Sequence, residues 1–258
     1  MTNNPLVWLN DPLNWQGSDG VAARLLEHLQ YSAIAVAIAL VIAVPAGLLI
    51  GHSGRGGYLV SAANALRALP TLGLLVLFVV IIAPHIHGRG TAAYLIPSEI
   101  VLVVLAVPPI LANTAAGVQA VPPESRDAAS GMGMTDRQVL ARVELPSALP
   151  LIFSGVRSAA LQVIATATIA SYVGLGGLGR FVYDGLAVQD YGQSTAGAVL
   201  VAVLAMAVDL LLAVIQHYLV PRGISGRFSR RATAAGPAEA TVLATNSVHA
   251  KTVTTTGR

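Results

Sequence analysis

Long apolar stretches separated by short polar ones dominate this 258-residue chain. Between Leu29 and Gly51 no side chain is charged, and these 23 residues are enough to cross a hydrocarbon layer about 30 Å thick at about 1.5 Å per residue. Further apolar stretches follow along the chain. The pattern predicts an all-α polytopic membrane protein with about five transmembrane helices, at residues 29–51, 58–84, 94–118, 152–173 and 195–219.

The longest polar segment between spans, residues 119–150, separates the third span from the fourth. Its crowded charges would be costly in lipid, so the segment is expected to lie outside the bilayer. It is typical of two short helices, at residues 123–130 and 136–143, with a break at Gly131 and Gly133.

The second of these short helices has a signal at each end. Thr135 followed three residues later by Gln138 fits a capping box, in which each side chain bonds the backbone N–H of the other residue. Pro146 has no N–H and is expected to end this helix before the chain re-enters the membrane.

Both ends of the chain are expected to lie outside the transmembrane domain, which covers residues 25–222. Residues 1–24 contain no apolar run behind a basic start, so they predict an extramembrane leader rather than a cleavable signal peptide. Residues 223–258 are rich in Arg and then in Ala and Thr, without apolar periodicity, which indicates a disordered tail.

Composition excludes an ordinary soluble enzyme. Hydrophobic residues make up 55% of the chain and charged residues only 10%, whereas soluble globular chains carry about 25% charged residues. A soluble protein of this size needs a mostly polar surface, and this chain has too few polar residues to provide one.

Candidate catalytic and metal-binding chemistry is sparse. The single lysine, Lys251, lacks the glycine frame of a phosphate-binding Walker A loop, and the chain has no cysteine. His85 and His87 form a His-x-His pair without a further ligand nearby, so we expect a solvated loop and no metal site. No hydrolase or intramembrane protease motif is present. We therefore expect a chain that is not an enzyme and holds no cofactor of its own.

The distribution of arginine predicts the orientation in the membrane through the positive-inside rule. With residues 119–150 inside, nine arginines near span ends are cytoplasmic and three are outside. This choice places the N-terminal leader outside and the C-terminal tail in the cytoplasm. The nine are Arg55, Arg126, Arg137, Arg142, Arg157, Arg222, Arg227, Arg230 and Arg231, and the three are Arg24, Arg89 and Arg180.

The polar segment carries a motif of fixed spacing: an acidic residue and two alanines, a glycine six residues after the acid, and an aliphatic-x-Leu-Pro end. The matching residues are Asp127, Ala128, Ala129, Gly133, Val143, Leu145 and Pro146. The motif resembles the EAA signature of importer permeases in the ATP-binding-cassette (ABC) superfamily, with Asp127 in place of the usual Glu and Val143 in place of the usual Ile. The small residues suit close docking, and the glycine permits a sharp turn.

The resemblance implies the type I ABC importer permease fold and makes residues 119–150 the coupling loop. In that family this loop is seated in a cleft of a separate ATPase subunit dimer, which uses ATP and Mg and moves the loop when it closes. The resemblance also implies a second permease, identical or a sister chain, and an extracytoplasmic substrate-binding protein. The expected location is the plasma membrane of a prokaryote.

Within the superfamily, softer similarity points to permeases for osmoprotectants such as glycine betaine, carnitine, choline and proline. The segments that carry it are residues 67–72, 108–114, 131–150, 155–157 and 167–179. A permease for another small solute such as methionine stays open as an alternative. A proton- or cation-coupled secondary transporter is a second alternative, because Glu99 and Asp209 lie at depths where an ionised carboxylate is costly.

Polar side chains within the spans are candidates for lining the pathway, with hydrogen bonding between helices as the alternative for each. The prolines in the spans and the glycine run at residues 174–179 would allow the helices to bend during transport. Arg67 is expected either to face a partner or pore or to reach the near interface. The candidate lining residues are Asn64, Asn113, Thr114, Thr166 and Thr168.

Overall fold

The computed structural model describes residues 4–86 and 92–220, which fold into α-helices joined by short 3₁₀ and π turns. The chain divides into two units, residues 1–217 and 218–258, and the tail predicted at 223–258 lies outside the described residues. In chain order the helices are α1 (Pro5–Asn10), α2 (Val21–Ser53), α3 (Gly57–Ala65), α4 (Thr71–Ile82), α5 (Ala92–Gln119), α6 (Pro123–Gly131), α7 (Asp136–Val139), α8 (Leu145–Ala170), α9 (Gly179–Ala187) and α10 (Tyr191–Leu219).

Among the described residues, four helical stretches are long and apolar enough to cross a membrane by themselves. They are α2, α5, the stretch that contains α8, and α10, and the bent pair formed by the α3 and α4 segments supplies a fifth span. The all-α class and the number of about five spans are thus confirmed. The observed helices are longer than the predicted spans, since α2 begins at Val21 rather than near residue 29.

A stripe of small residues joins α2 to α5. Every fourth residue of α2 from Ala35 to Gly51 is Ala or Gly, and all of them are buried. A Cβ added at Gly47 would lie 2.6 Å from Cβ of Thr114, and one added at Gly51 would lie 2.6 Å from Cβ of Val118. The two backbones therefore approach as closely as their atoms allow, which is how helices associate where lipid offers no hydrophobic driving force.

Helix α8 packs on α5 by the same kind of close contact. A Cβ at Gly117 would lie 3.0 Å from Cβ of Ala148, and one at Gly155 would lie 2.8 Å from Cβ of Asn113. Helices α2, α5 and α8 thus form the core against which the other elements pack.

The second span, predicted at 58–84, is broken rather than continuous. The segments Gly57–Ala68 and Thr71–His85 meet at an angle of 92°. At the break Leu69 is extended, with φ −73° and ψ 139°, because the ring of Pro70 disfavours helical backbone at the residue before it. Pro45 inside α2 and Pro108 inside α5 do not interrupt their helices, since such prolines are tolerated within membrane helices.

The start of the fourth span also differs from the prediction. The second short helix, expected at 136–143, continues through a π turn at Leu140–Glu144 into α8, so Pro146 does not end it. Pro146 lies in the first turn of α8, where a missing N–H is tolerated. The preceding turn is widened, and the Leu145 N–H bonds the Leu140 carbonyl five residues back.

Helix α9 was not predicted, because a nine-residue amphipathic helix is too short to show in a search for membrane spans. The leader packs against it: the rings of Trp8 and Phe181 meet edge to face with centroids 5.1 Å apart. The leader is therefore folded onto the bundle through part of its length.

An ion pair ties α10 to α8. Little of α10 is buried in the single chain. Nε and Nη2 of Arg157 donate to the two carboxylate oxygens of Asp209, at 2.9 and 2.8 Å. The ionised carboxylate of Asp209 was expected to be costly inside the last span. It is thus paired with an arginine of the same chain.

The α2–α5 contact generates a first prediction. Gly47→Ala is expected to destabilise the protein by about 1–3 kcal/mol, because the new methyl group has no space against Thr114. Gly73→Ala, in α4, is the matched control: its Cβ would meet only Pro70 Cβ at 3.7 Å, an ordinary contact. Thermal unfolding in detergent should show a lower midpoint for Gly47→Ala alone, and equal midpoints would contradict the close packing.

Candidate functional site

The motif residues begin on α6, a short helix with one inward face. Ala129 is only 2% exposed and packs inside its own chain, whereas Asp127 and Ala128 are exposed. Only one of the two alanines is therefore free to meet another protein. Ala129 seats the helix on the bundle and Ala128 faces outward, and the docking role expected for the two alanines stays a prediction.

The turn after α6 explains the glycine of the motif. Gly133 has φ +86°, a conformation that L side chains rarely adopt, although a Cβ there would find nothing within 4 Å. Its N–H donates to the Ser130 carbonyl at 2.9 Å, and the Met134 N–H donates to the Ala129 carbonyl at 3.2 Å. Glycine is thus required by the backbone and not by crowding. The sharp turn expected at this residue is confirmed.

The chain then enters α7 through the predicted capping box, which is confirmed: the Thr135 N–H donates to Oε1 of Gln138 at 2.9 Å. Val143, Leu145 and Pro146 follow, and each is half-buried. Leu145 packs against the apolar cluster that contains Val118. The last part of the motif therefore anchors the coupling loop to the spanning helices.

A buried carboxylate lies where the loop meets the bundle. Glu144 is 0% exposed. Its Oε1 lies 3.0 Å from Nε of Arg126 on α6, and its Oε2 lies 2.8 Å from Nδ1 of His52 near the end of α2. Nη2 of Arg126 also donates to the Val118 carbonyl of α5 at 2.5 Å. Glu144, Arg126 and His52, which we call the Glu144 cluster, connect four helical elements.

The Glu144 cluster was missed by reasoning from sequence. Glu144 occupies the variable position of the aliphatic-x-Leu-Pro end, and its partner His52 is 92 residues away along the chain. A usable signal was present: a carboxylate directly before an apolar span needs a partner, and Arg126 is a candidate in the same polar segment.

The candidate pathway residues fall into two groups. Thr114 and Thr166 are enclosed by their own chain, at 0% and 5% exposed, and Thr114 donates to the Ile110 carbonyl of its own helix. Asn113 and Thr168 are half-buried and also bond carbonyls of their own helices. Asn64 alone is exposed. The pathway role stays a prediction, and Asn64 is the member of the set whose position favours it.

Arg67 lies at the break of the second span and reaches α8. Its Nη2 donates to Oε1 of Gln162 at 3.0 Å, and Ser158 and Ser154 lie exposed on α8 about one and two turns before Gln162. Arg67 therefore has a partner within the chain, which is one of the two outcomes expected for it. We call Asn64, Arg67, Gln162, Ser154 and Ser158, the polar side chains of α8 and of the bent second span, the polar strip.

The opposite end of the bundle is held by a second polar contact. Oε2 of Glu27 accepts hydrogen bonds from the Gly177 N–H at 2.9 Å and from Nη1 of Arg24 at 2.8 Å. The Ser171 hydroxyl donates to the Gly176 carbonyl at 2.8 Å. The glycine run at 174–179, expected to supply flexibility, is therefore fixed to the start of α2 in this conformation.

No group of three metal-ligating side chains lies together in residues 4–86 and 92–220. His85 Nδ1 is 2.8 Å from the Ile81 carbonyl oxygen of its own helical segment. His87, the other member of the His-x-His pair, lies outside the described residues.

Residues 39–224 match the family model of the binding-protein-dependent transport system inner membrane component. The chain is 34% identical over 201 residues to the glycine betaine/carnitine/choline transport system permease protein OpuCB of Bacillus subtilis, covering 78% of this chain and 88% of that protein. It is 35% identical over 205 residues to the osmoprotectant import permease protein OsmW of Salmonella typhimurium, covering 79% of this chain and 94% of that protein.

Solved structures show the same fold. The inward-facing methionine ABC transporter MetNI superposes with a TM-score of 0.68 at 21% identity, over 86% of this chain and 100% of the matched chain. An amino acid ABC transporter solved with histidines superposes with a TM-score of 0.60 at 20% identity, over 84% of this chain and 98% of that chain. These likenesses establish the fold of the bundle.

The backbone at Gly133 generates a second prediction. Gly133→Ala is expected to cost about 1–2 kcal/mol, the cost of left-handed backbone for an L-residue. Gly131→Ala is the control, because Gly131 ends α6 without a positive φ and also has open space around it. Hydrogen exchange of the amides at 130–135 should be faster in Gly133→Ala only. Equal exchange in the two variants would contradict the requirement for glycine.

Proposed function

We propose, from the premise that this chain belongs to the family of binding-protein-dependent transport system inner membrane components, that it is the permease subunit of an ATP-driven importer for osmoprotectants. Its cargo is a small solute with a quaternary ammonium group, of the kind named for its relatives: glycine betaine, carnitine or choline. The observation that carries the proposal is the folded coupling loop, whose outward face presents the small side chain of Ala128 and the apolar side chain of Met132.

The outward face of the coupling loop suits a protein partner. Met132 is 73% exposed at the tip of the turn, next to exposed Ala128 and Asp127. A flexible thioether side chain beside a small residue can enter a cleft, and the carboxylate of Asp127 can pair with a basic group at its rim. The partner is an ABC ATPase dimer, which binds ATP and Mg; this chain supplies no nucleotide site.

The orientation follows from this docking. The coupling loop faces the cytoplasm of a prokaryotic cell, where ATP is present, and most of the arginines near span ends lie on the same side. The leader and the contact between Glu27 and Gly177 then face outside, toward an extracytoplasmic substrate-binding protein. The tail at 223–258 is cytoplasmic.

The polar strip forms one wall of the translocation pathway. Asn64, Arg67, Gln162, Ser154 and Ser158 line it, and a second permease chain, identical or a sister, provides the opposite wall. A hydrophilic surface in a membrane protein is stable when it lines a water-filled cavity or meets a partner. Selective recognition of the quaternary ammonium group belongs to the binding protein, because no Trp lies in the five spans of this chain.

The secondary-transporter alternative is weakened by the pairing of Asp209. A proton or cation carrier needs a carboxylate that is free to bind its coupling ion, whereas Asp209 is held by two hydrogen bonds from Arg157. Glu99 lies inside the bundle, 9% exposed, and not on the polar strip. Neither acid offers an accessible site on the proposed pathway.

Uptake by reconstituted vesicles tests the function. The chain is co-purified with its ATPase and binding protein, and labelled glycine betaine, carnitine, choline and methionine are offered in turn. We expect quaternary ammonium solutes to accumulate only when ATP is supplied on the side of the membrane that carries the ATPase. An uncoupler should leave this uptake unchanged. Uptake without ATP that collapses with the uncoupler would identify a secondary transporter, and uptake of methionine alone would overturn the cargo.

A third prediction concerns the docking face. Met132→Asp should reduce co-purification of the ATPase at least about tenfold, equal to about 1.4 kcal/mol, since it buries an unpaired charge beside Asp127. Glu124→Gln, an exposed change at the other end of α6, is the control. Undiminished co-purification of the ATPase with Met132→Asp would place the docking face elsewhere.

A further inference from the structure

The coupling loop is joined covalently to two spanning helices, since it follows α5 and leads into α8. The Glu144 cluster adds α2 through His52, and Arg126 bonds the Val118 carbonyl in the last turn of α5. Motion of α6 can therefore reach α2 by a route that does not follow the chain.

The helices around the Glu144 cluster are closely packed. Helices α2 and α5 touch at Gly51 and Val118, and α5 touches α8 at Gly117 and Ala148. Interiors packed this closely transmit displacement rather than absorb it.

The burial of the Glu144 carboxylate disfavours any breaking of its contacts with Arg126 and His52. A carboxylate with 0% exposure is costly to leave without partners, so separating Glu144 from Arg126 or His52 is strongly disfavoured. The three side chains are thus expected to remain together while the coupling loop moves.

We propose that the Glu144 cluster is the joint that transmits movement of the coupling loop to α2, so that α2 moves with α5 and α8 as one body. Glu144, Arg126 and His52 are positioning residues: they touch neither cargo nor nucleotide. This inference rests on the proposed function and concerns how ATP use is linked to transport.

The variant His52→Ala separates the joint from α2 and leaves the pair of Glu144 and Arg126 in place. We expect the complex to assemble and to hydrolyse ATP, but to move at least about fivefold less cargo per ATP, the low end of measured coupling between sites. His52→Gln keeps a donor and should restore the ratio. Arg55→Ala, an exposed change beyond the same end of α2, is the control. An unchanged ratio in His52→Ala overturns the proposal.

A second measurement decides the matter if His52→Ala does not assemble. The chain has no cysteine, so spin labels can be placed at Ser53→Cys and Ser125→Cys, both exposed, in a chain diluted with unlabelled chain. The distance between the labels should be the same without nucleotide and in a trapped ATP state. A change in this distance of about one helical turn, about 5 Å, overturns the proposal that the Glu144 cluster is a joint. Failure of the unaltered complex to transport would instead reject the proposed function.

Discussion

The organisation of this protein depends on the contacts that the buried carboxylate of Glu144 makes with Arg126 and His52. Glu144 lies where the polar loop ends and the apolar bundle begins, and it holds α6, α2 and α8 together through Arg126 and His52. An ionised group at such a boundary is tolerated only with partners, so its burial determines how the loop sits on the bundle. Met132 points outward because the other face of α6, with Ala129, is fixed inward.

Other charged groups within or beside the spans are also paired. Asp209 is held by Arg157, and Glu27 accepts a hydrogen bond from the Gly177 N–H. Apolar attraction between helices is weak in lipid, so α2 and α5 associate through a stripe of Ala and Gly.

The spans and the coupling loop could be predicted because length, absence of charge and turn residues act locally. The capping box at Thr135 and the turn at Gly133 are local in the same sense, and both are confirmed. The break at Leu69 could not be predicted, since Pro45 and Pro108 lie within α2 and α5 without interrupting them. The Glu144 cluster and the burial of Thr114 and Thr166 depend on which helix faces which. Which helix faces which is a property of tertiary packing, so the sequence indicates that Glu144 needs a partner but not that His52 provides one.

The central claim is that the face of the coupling loop around Met132 is seated in a partner ATPase. Met132→Cys introduces the single cysteine of the chain, and a short cross-linker carried by it can be tested in native membranes. The account predicts a cross-link to the ATPase subunit that becomes stronger when ATP is trapped. Cross-linking only to lipid, or to the external binding protein, would contradict it.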